Sequence, residues 1–254
     1  MEILVYVLAG VGAGLGTGLA GMSAAAVIAP MLITFVGMDA YQAIGVALAS
    51  DVMASAISAY VYKKNDNIDI KNGMTMMITV LIFTLIGSVV SSYVPATTMG
   101  DMSVFATLFL GLKFIFAPVM TTKQQMESMS PKKRMIQSIG GGCVIGSICG
   151  FMGAGGGIMM LLILTTILGY ELKTAVGTSV FIMAFTALTG AVSHFIIGGM
   201  PDIVCLLVCI LSTVVFARLA AVFANKASAK ALNRGMGILL VGLAVVMITV
   251  TYFI

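Results

Sequence analysis

The chain has 254 residues, of which 60% are hydrophobic and 9% are charged, and its formal net charge is +4. Soluble domains carry roughly 25% charged residues. With a mean hydropathy of +1.15, the composition excludes an ordinary soluble protein and indicates an integral membrane protein embedded in a lipid bilayer. Nothing in the charge pattern indicates nucleic-acid binding.

Apolar segments of about 20 residues, the length that spans a bilayer, follow one another along the chain with short polar connections. Six are uninterrupted, and two longer ones are broken in the middle by small residues. In chain order they are 3–36 (broken), 42–62, 74–94, 103–120, 136–168 (broken), 175–198, 203–224 and 235–254. Because residue 2 is acidic and no basic residue precedes the first apolar run, we interpret that run as structure and not as a cleaved signal peptide.

The basic residues predict the orientation. Most Lys and Arg lie in three connections, 63–73, 121–135 and 225–234, whereas the connections at 37–41, 95–102 and 199–202 contain none. By the positive-inside rule the first three are cytoplasmic, and we expect a multi-pass protein of the cell (inner) membrane. Basic residues flank the second broken segment on both sides, so this segment has to begin and end in the cytoplasm.

The stretch GFMGAGGGIMM, residues 150–160, lies in the second broken segment and holds five glycines within eight positions. Glycine is a poor helix former, and 33 residues (136–168) are too many for one crossing and few for two. We therefore predict a re-entrant hairpin of two half-helices, with two short tilted crossings as the alternative. Irregular backbone at membrane depth needs protein or a watery cavity around it, so the glycines indicate a cavity.

The two halves of the chain form a duplicated unit. The alignment places 24–26 on 155–157, Gly37 on Gly169, Asp39 on Glu171, Ala43 on Ala175 and Gly45 on Gly177. Each unit has one broken segment and three crossings, and an odd number of crossings inverts the second copy. The predicted fold is an all-α polytopic membrane protein with an inverted repeat, each half having one broken or re-entrant helical segment plus three transmembrane helices. The first repeat covers 1–120, a cytoplasmic linker 121–135 and the second repeat 136–254.

Broken helices at matching positions of two inverted halves are typical of the central site of a transporter. A half-helix that starts near Gly157 directs N–H groups and the positive end of its dipole into the membrane, and consecutive glycine N–H groups suit oxyanions. Hydroxyls nearby can donate to the same anion, unless they bond back to their own helix carbonyls. The predicted substrate-binding residues are Ser23, Ala24, Gly153, Gly155, Gly156, Gly157, Thr178 and Ser179.

Ionisable residues within a membrane are functional candidates. Asp51 lies near the midpoint of its predicted helix, and we interpret it as a proton-coupling or gating carboxyl; pairing with Lys113 or Arg218 is the alternative. Those two residues are close enough to the cytoplasmic ends of their helices to reach the interface. His194, near the outside end of its helix, is the second coupling or gating candidate, although an incidental interfacial histidine is the simpler interpretation.

Little in the sequence favours an enzyme. Cys205 and Cys209, one helical turn apart, could bind a soft metal or meet a sulfur substrate, but small buried packing residues explain them more simply. One histidine and one deep carboxylate leave few groups for catalysis. We therefore predict no catalytic residues, no metal site and no cofactor. Without a nucleotide-binding motif, energy has to come from an ion gradient or from the gradient of the substrate.

The pattern GxxxGxxGGG, followed about twenty residues later by AxGTS, resembles the sulfite exporter TauE/SafE (TSUP) family of membrane transporters. The second half carries it as GFMGAGGGIMM and AVGTS (175–179), while the first half keeps a proline, Pro30, and has alanines in place of the glycines. The resemblance implies a secondary transporter, by its name an exporter, of sulfite or a related sulfur anion. A small carboxylate substrate, a passive anion channel, coupled protons and a homodimer stay open.

Overall fold

The structure is a computed structural model that describes residues 2–91, 96–128, 130–152 and 156–253. Regular structure within these ranges is entirely helical. The helices are α1 (Glu2–Ala20), α2 (Ala25–Val36), α3 (Ala40–Lys64), α4 (Ile70–Ser91), α5 (Ala96–Phe116), α6 (Lys123–Glu127), α7 (Pro131–Met152), α8 (Gly156–Thr166), α9 (Leu172–Gly198), α10 (Ile203–Lys226) and α11 (Ala229–Phe253).

Within the described part of the chain, five helices are long and apolar enough to cross a membrane. They are α1, α3, α9, α10 and α11. The six uninterrupted spans expected from the sequence correspond to α3, α4, α5, α9, α10 and α11, so the prediction of an all-helical, multi-pass membrane protein is confirmed.

The two broken segments each form a long helix followed by a short one. Helix α1 has 19 residues and α2 has 12, while α7 has 22 and α8 has 11. At 1.5 Å per residue the long helices span about 28 and 33 Å and the short ones about half of that. The expectation of two half-helices in the second broken segment is therefore wrong for its first arm, which is a full-length helix.

Close helix packing explains why α1 and α7 continue through their glycines. A Cβ on Gly14 of α1 would lie 2.5 Å from the Thr213 carbonyl oxygen of α10, and one on Gly146 of α7 would lie 2.5 Å from the Val80 carbonyl oxygen of α4. Small residues at such positions let two backbones approach. The packing gained there outweighs the low helix propensity of glycine.

The short helices end with the same local structure. Gly37 after α2 and Gly169 after α8 have φ values of 71° and 63°, in the left-handed region that favours glycine. An acidic residue then caps the next long helix: Asp39 accepts hydrogen bonds from two N–H groups of α3, and Glu171 accepts one from α9. These are the positions that the sequence alignment made equivalent.

The helices pack in matching pairs. Helix α1 lies on α10 as α7 lies on α4, α5 lies on α11, and α3 lies on α9. Gly45, near the start of α3, faces Phe195 at the end of α9, and Gly177, near the start of α9, faces Tyr62 at the end of α3. Helices α3 and α9 are therefore antiparallel.

Polar contacts join several connections at one end of the bundle, which we call the basic end. The Asn67 side chain after α3 donates to the Asn225 side-chain oxygen near the end of α10 at 2.7 Å, and Lys173 donates to the Asn225 carbonyl oxygen at 2.9 Å. Arg134, near the start of α7, lies over the ring of Tyr170, which follows α8. The second broken segment thus begins and ends at the same end, in agreement with the sequence.

Candidate functional site

A hydrogen-bonded carboxylate lies at the break between α1 and α2. The Ser23 hydroxyl donates to Asp51 Oδ2 at 2.6 Å, the Ser55 hydroxyl donates to Oδ1 at 2.9 Å, and the Ala24 N–H donates as well. Asp51 comes from α3 and is 1% exposed. Its partners are thus two hydroxyls and a backbone N–H.

Among the described residues no basic side chain pairs with Asp51, so the pairing with Lys113 or Arg218 that the sequence left open is not formed there. The Lys113 ammonium lies 5.5 Å from the ring of the neighbouring Phe114. Arg218 is exposed.

Asp51 caps α2 from outside that helix. The residue before α2, Ala24, has no side chain that can accept from the first turn. Helix N-termini leave N–H groups without intrahelical partners and carry a partial positive charge. The Asp51 carboxylate supplies the acceptor and the negative charge, and Ser23 also accepts from the Ala25 N–H at 3.3 Å. The break in the first half therefore has a counter-charge of its own.

The start of α8 touches this break. A Cβ on Gly157 would lie 2.7 Å from the Gly21 carbonyl oxygen and 2.9 Å from the Ser23 nitrogen. Gly21 itself ends α1 with a φ of 59°. The structure thus brings Gly157 together with Ser23, Ala24 and, through them, Asp51. Gly153 and Gly155 lie outside the described residues, and Gly156 is the first residue of α8.

The second half places a different side chain at this point. Met183 lies eight residues beyond Ala175, as Asp51 lies eight residues beyond Ala43, so the sequence alignment of the two halves places them on matching positions. The Met183 sulfur would lie 2.6 Å from a Cβ on Gly157. A thioether therefore faces α8 where a carboxylate faces α2.

Thr178 and Ser179 face different parts of the molecule. Ser179 lies against Gly21, and its hydroxyl donates to the Val176 carbonyl of its own helix at 2.9 Å. Thr178 accepts from the Asp69 N–H at 3.1 Å and contacts the start of α4. Of this pair, only Ser179 lies beside the break.

His194 lies at the opposite end from the basic end. Its ring centroid is 5.5 Å from that of Tyr41, at the start of α3, and its Nδ1 is buried without a hydrogen-bond partner among the described residues. Tyr41 and Asp51 are ten residues apart on α3, about 15 Å along the axis. The two coupling candidates are thus not in contact.

Three residues of the site were missing from the sequence prediction. Ser55 follows Asp51 by one helical turn, and this spacing alone could have identified it. Gly21 and Met183 reach the site through contacts between helices, for which the sequence carries no local signal.

A multi-pass helical protein whose two broken segments meet beside a buried carboxylate has the architecture of a membrane transporter. The sequence model of the family described as sulfite exporter TauE/SafE matches residues 6–247. The chain belongs to this family, and it is a membrane transporter and not an enzyme.

Two relatives from Bacillus subtilis (strain 168) agree with this assignment. The probable membrane transporter protein YunE is 27% identical over 218 residues, which cover 78% of this chain and 80% of YunE. The probable membrane transporter protein YdhB is 46% identical over 52 residues, which cover 20% of this chain and 21% of YdhB. No solved structure matches the chain significantly.

Proposed function

We propose that the protein is a secondary transporter that moves a small anion by alternating access at the point where the two breaks meet. The observation that carries the proposal is the contact of Gly157, at the start of α8, with the Gly21–Ser23 backbone. Two helix N-termini converge there, and their dipoles favour negative charge. The N–H groups of Gly153, Gly155, Gly156 and Gly157 are the proposed ligands of the anion. The Ser23 and Ser179 hydroxyls join them when they turn from Asp51 and from the Val176 carbonyl towards the anion.

The proposed anion is sulfite or a related sulfur oxyanion, and the direction is export. Both follow from the description of the family as sulfite exporters, while the geometry itself requires only a small anion. The basic end is the proposed cytoplasmic side of the cell membrane, because the Lys and Arg residues of the connections collect there.

The packing supports an inverted repeat of 1–120 and 136–254. The packing of α1 on α10 matches that of α7 on α4. Helices α3 and α9 approach each other at Gly45 and Gly177, which the sequence alignment makes equivalent. In a transporter of this kind, one half moves against the other around the central site.

Asp51 is the proposed coupling residue. An ionised carboxylate can accept all three hydrogen bonds from Ser23, Ala24 and Ser55, whereas a protonated one has less acceptor capacity. Protonation therefore weakens the attachment of the α1–α2 break to α3. His194, near the other end of α9, is a proposed second proton site on the route to the outside.

The test is flux in liposomes that contain the purified protein. Sulfite, thiosulfate, sulfate, sulfoacetate and acetate are compared with and without a pH gradient, for the native chain, Asp51→Asn and the control Asp39→Asn. Asp39 is an exposed cap of α3, so its variant should behave like the native chain. We expect saturable flux of a sulfur anion that follows the pH gradient and loses this dependence in Asp51→Asn.

Other outcomes contradict parts of the proposal. Flux that does not saturate and ignores pH indicates a passive channel, and preference for acetate indicates a carboxylate transporter. If no anion moves, the anion site itself is rejected.

A further inference from the structure

Asp69 connects several segments at the basic end. It precedes α4 and caps it, since Oδ1 accepts from the Asn72 N–H at 3.2 Å. Its Oδ2 accepts from the Asn72 side chain at 2.8 Å and from the Tyr170 hydroxyl at 3.0 Å, and lies 3.6 Å from Arg134 Nε. Asp69 belongs to the first repeat, Arg134 to the end of the linker that leads into the second repeat, and Tyr170 to the second repeat. One carboxylate thus joins the two halves.

Helix α9 connects this polar cluster at the basic end with the meeting point of the breaks. The Asp69 N–H donates to Thr178 on α9, and the next residue of α9, Ser179, lies against Gly21. The rings of Tyr170 and the guanidinium of Arg134 stack at 5.7 Å. Two consecutive residues of α9 thus contact Asp69 at the basic end and Gly21 at the break.

Arg134 keeps an unused donor. Its Nη2 donates to the Met126 carbonyl at 3.0 Å, whereas its buried Nε faces Asp69 Oδ2 at 3.6 Å, beyond hydrogen-bond distance, and has no hydrogen-bond acceptor in the described part of the chain. The Arg134 and Asp69 side chains are 17% and 11% exposed, so water reaches them little. One turn further along α7, Gln137 Oε1 is also buried without a partner among the described residues. A guanidinium with a free N–H is well suited to the two oxygens of an oxyanion.

We propose that Arg134 and Asp69 form the gate at the basic end, and that the transported anion opens it by replacing Asp69 on the Arg134 guanidinium. The inference rests on the proposed function and assigns two residues to the entry of the substrate. In the closed gate, Asp69 is the anion that Arg134 holds. A small oxyanion arriving from this end offers the same charge and frees the connection before α4 to move.

Tyr170 helps to keep the gate closed. Burial, and then the charge of Asp69, raise the pKa of Tyr170 above its ordinary value. Its hydroxyl therefore stays protonated and donates to Asp69 throughout the neutral range.

The first experiment measures whether the gate is open or closed, in the absence of substrate, by the access of a thiol reagent to a buried position. Ser58 lies on the face of α3 that carries Asp51 and Ser55, towards the basic end, and its buried hydroxyl has no partner among the described residues. With Cys143, Cys149, Cys205 and Cys209 replaced by alanine, Ser58→Cys is labelled with a membrane-impermeant maleimide in inside-out vesicles. Lys132→Cys, exposed at the basic end, reports which side of the vesicle that end faces.

When the maleimide is added at the basic end, we expect Asp69→Asn to accelerate the labelling of Ser58→Cys at least tenfold. Tyr170→Phe should accelerate it less. Asparagine remains a good helix cap, so Asp69→Asn loses the charge while α4 stays capped. The matched control is Asp39→Asn, which changes a cap of the same kind outside the gate. Equal labelling rates in Asp69→Asn and Asp39→Asn, with both variants folded by size-exclusion chromatography, would reject the gate.

The second experiment tests the role of the anion. Arg134→Gln should open the gate as Asp69→Asn does, and should also raise the KM for sulfite supplied at the basic end at least tenfold while leaving kcat nearly unchanged. Arg134→Lys keeps the positive charge without the planar guanidinium, so its KM should lie between those of the native protein and Arg134→Gln. If Arg134 had only a structural role, its replacement would lower thermal stability without raising KM selectively over kcat. If the native protein moves no anion, the proposed function fails and opening by an anion is rejected with it, while the labelling rates still decide whether the pair is a gate.

Discussion

Gly157→Ala perturbs the contact between the two breaks with a single methyl group. The added Cβ would lie 2.6 Å from the Met183 sulfur, 2.7 Å from the Gly21 carbonyl oxygen and 2.9 Å from the Ser23 nitrogen. The Met183 side chain can rotate away, but the two backbone atoms belong to the break itself. Either α8 or the Gly21–Ser23 backbone has to move.

The magnitude follows from two opposing effects. Inserting a methyl group into a packed interior costs about 1–3 kcal/mol, and two fixed backbone atoms put this case in the upper part of the range. Replacing glycine by alanine in a helix returns up to about 1 kcal/mol. The expected net loss is about 1–2 kcal/mol, or roughly 2–8 °C in Tm at about 2–4 °C per kcal/mol.

The assay measures thermal unfolding in detergent and anion flux in liposomes for Gly157→Ala and for the control Gly242→Ala. Gly242 lies within α11, and a Cβ there would meet no atom within 4 Å. The control should therefore be as stable as the native chain or slightly more stable, and should transport normally. A Gly157→Ala variant with native Tm and native flux would refute the close contact on which the site is built.

Three further predictions concern packing and hydrogen bonds. Ser55→Ala removes a hydrogen bond to a buried carboxylate and should cost about 1.5–3 kcal/mol, whereas Ser50→Ala, whose hydroxyl bonds only to its own helix, should cost less in the same denaturation assay. Gly14→Ala should lower Tm more than Gly12→Ala, because a Cβ on Gly14 meets the α10 backbone at 2.5 Å, whereas one on Gly12 meets a valine methyl at 3.3 Å and a leucine methyl at 3.8 Å. Because burial raises the pKa of Tyr170, the stability linked to its protonation is complete below pH about 10 and is lost as pH rises further. A pH titration of Tm should show a smaller alkaline decline in Tyr170→Phe, and equal declines would contradict the buried hydroxyl.

Local chemistry made the spans and the start of α8 predictable. Gly37 and Gly169 stop their helices, and Asp39 and Glu171 start the next ones, because such residues act on their immediate neighbours. The distribution of Lys and Arg likewise sufficed to show that the second broken segment returns to the end from which it starts.

The remaining features depend on contacts between helices that are far apart in the sequence, so the sequence alone did not predict them. The glycines of α1 and α7 lower helix propensity, and only their packing on α10 and α4 reveals why these helices stay intact. Asp51 has a hydroxyl partner 28 residues away, and sequence spacing does not distinguish that arrangement from an ion pair. In the sequence Arg134 indicates only the topology, because its position beside Asp69 depends on how α4 and α7 pack.

The Asp51 carboxylate at the meeting point has a consequence for charge stoichiometry. Each helix N-terminus contributes roughly half a positive elementary charge, so α2 and α8 together supply about one, which an ionised Asp51 balances. When a proton neutralises Asp51, the centre has room for one monovalent anion without excess charge. For the proposed transporter we therefore expect one proton and one such anion to cross together, so that transport is electrically silent at any membrane voltage.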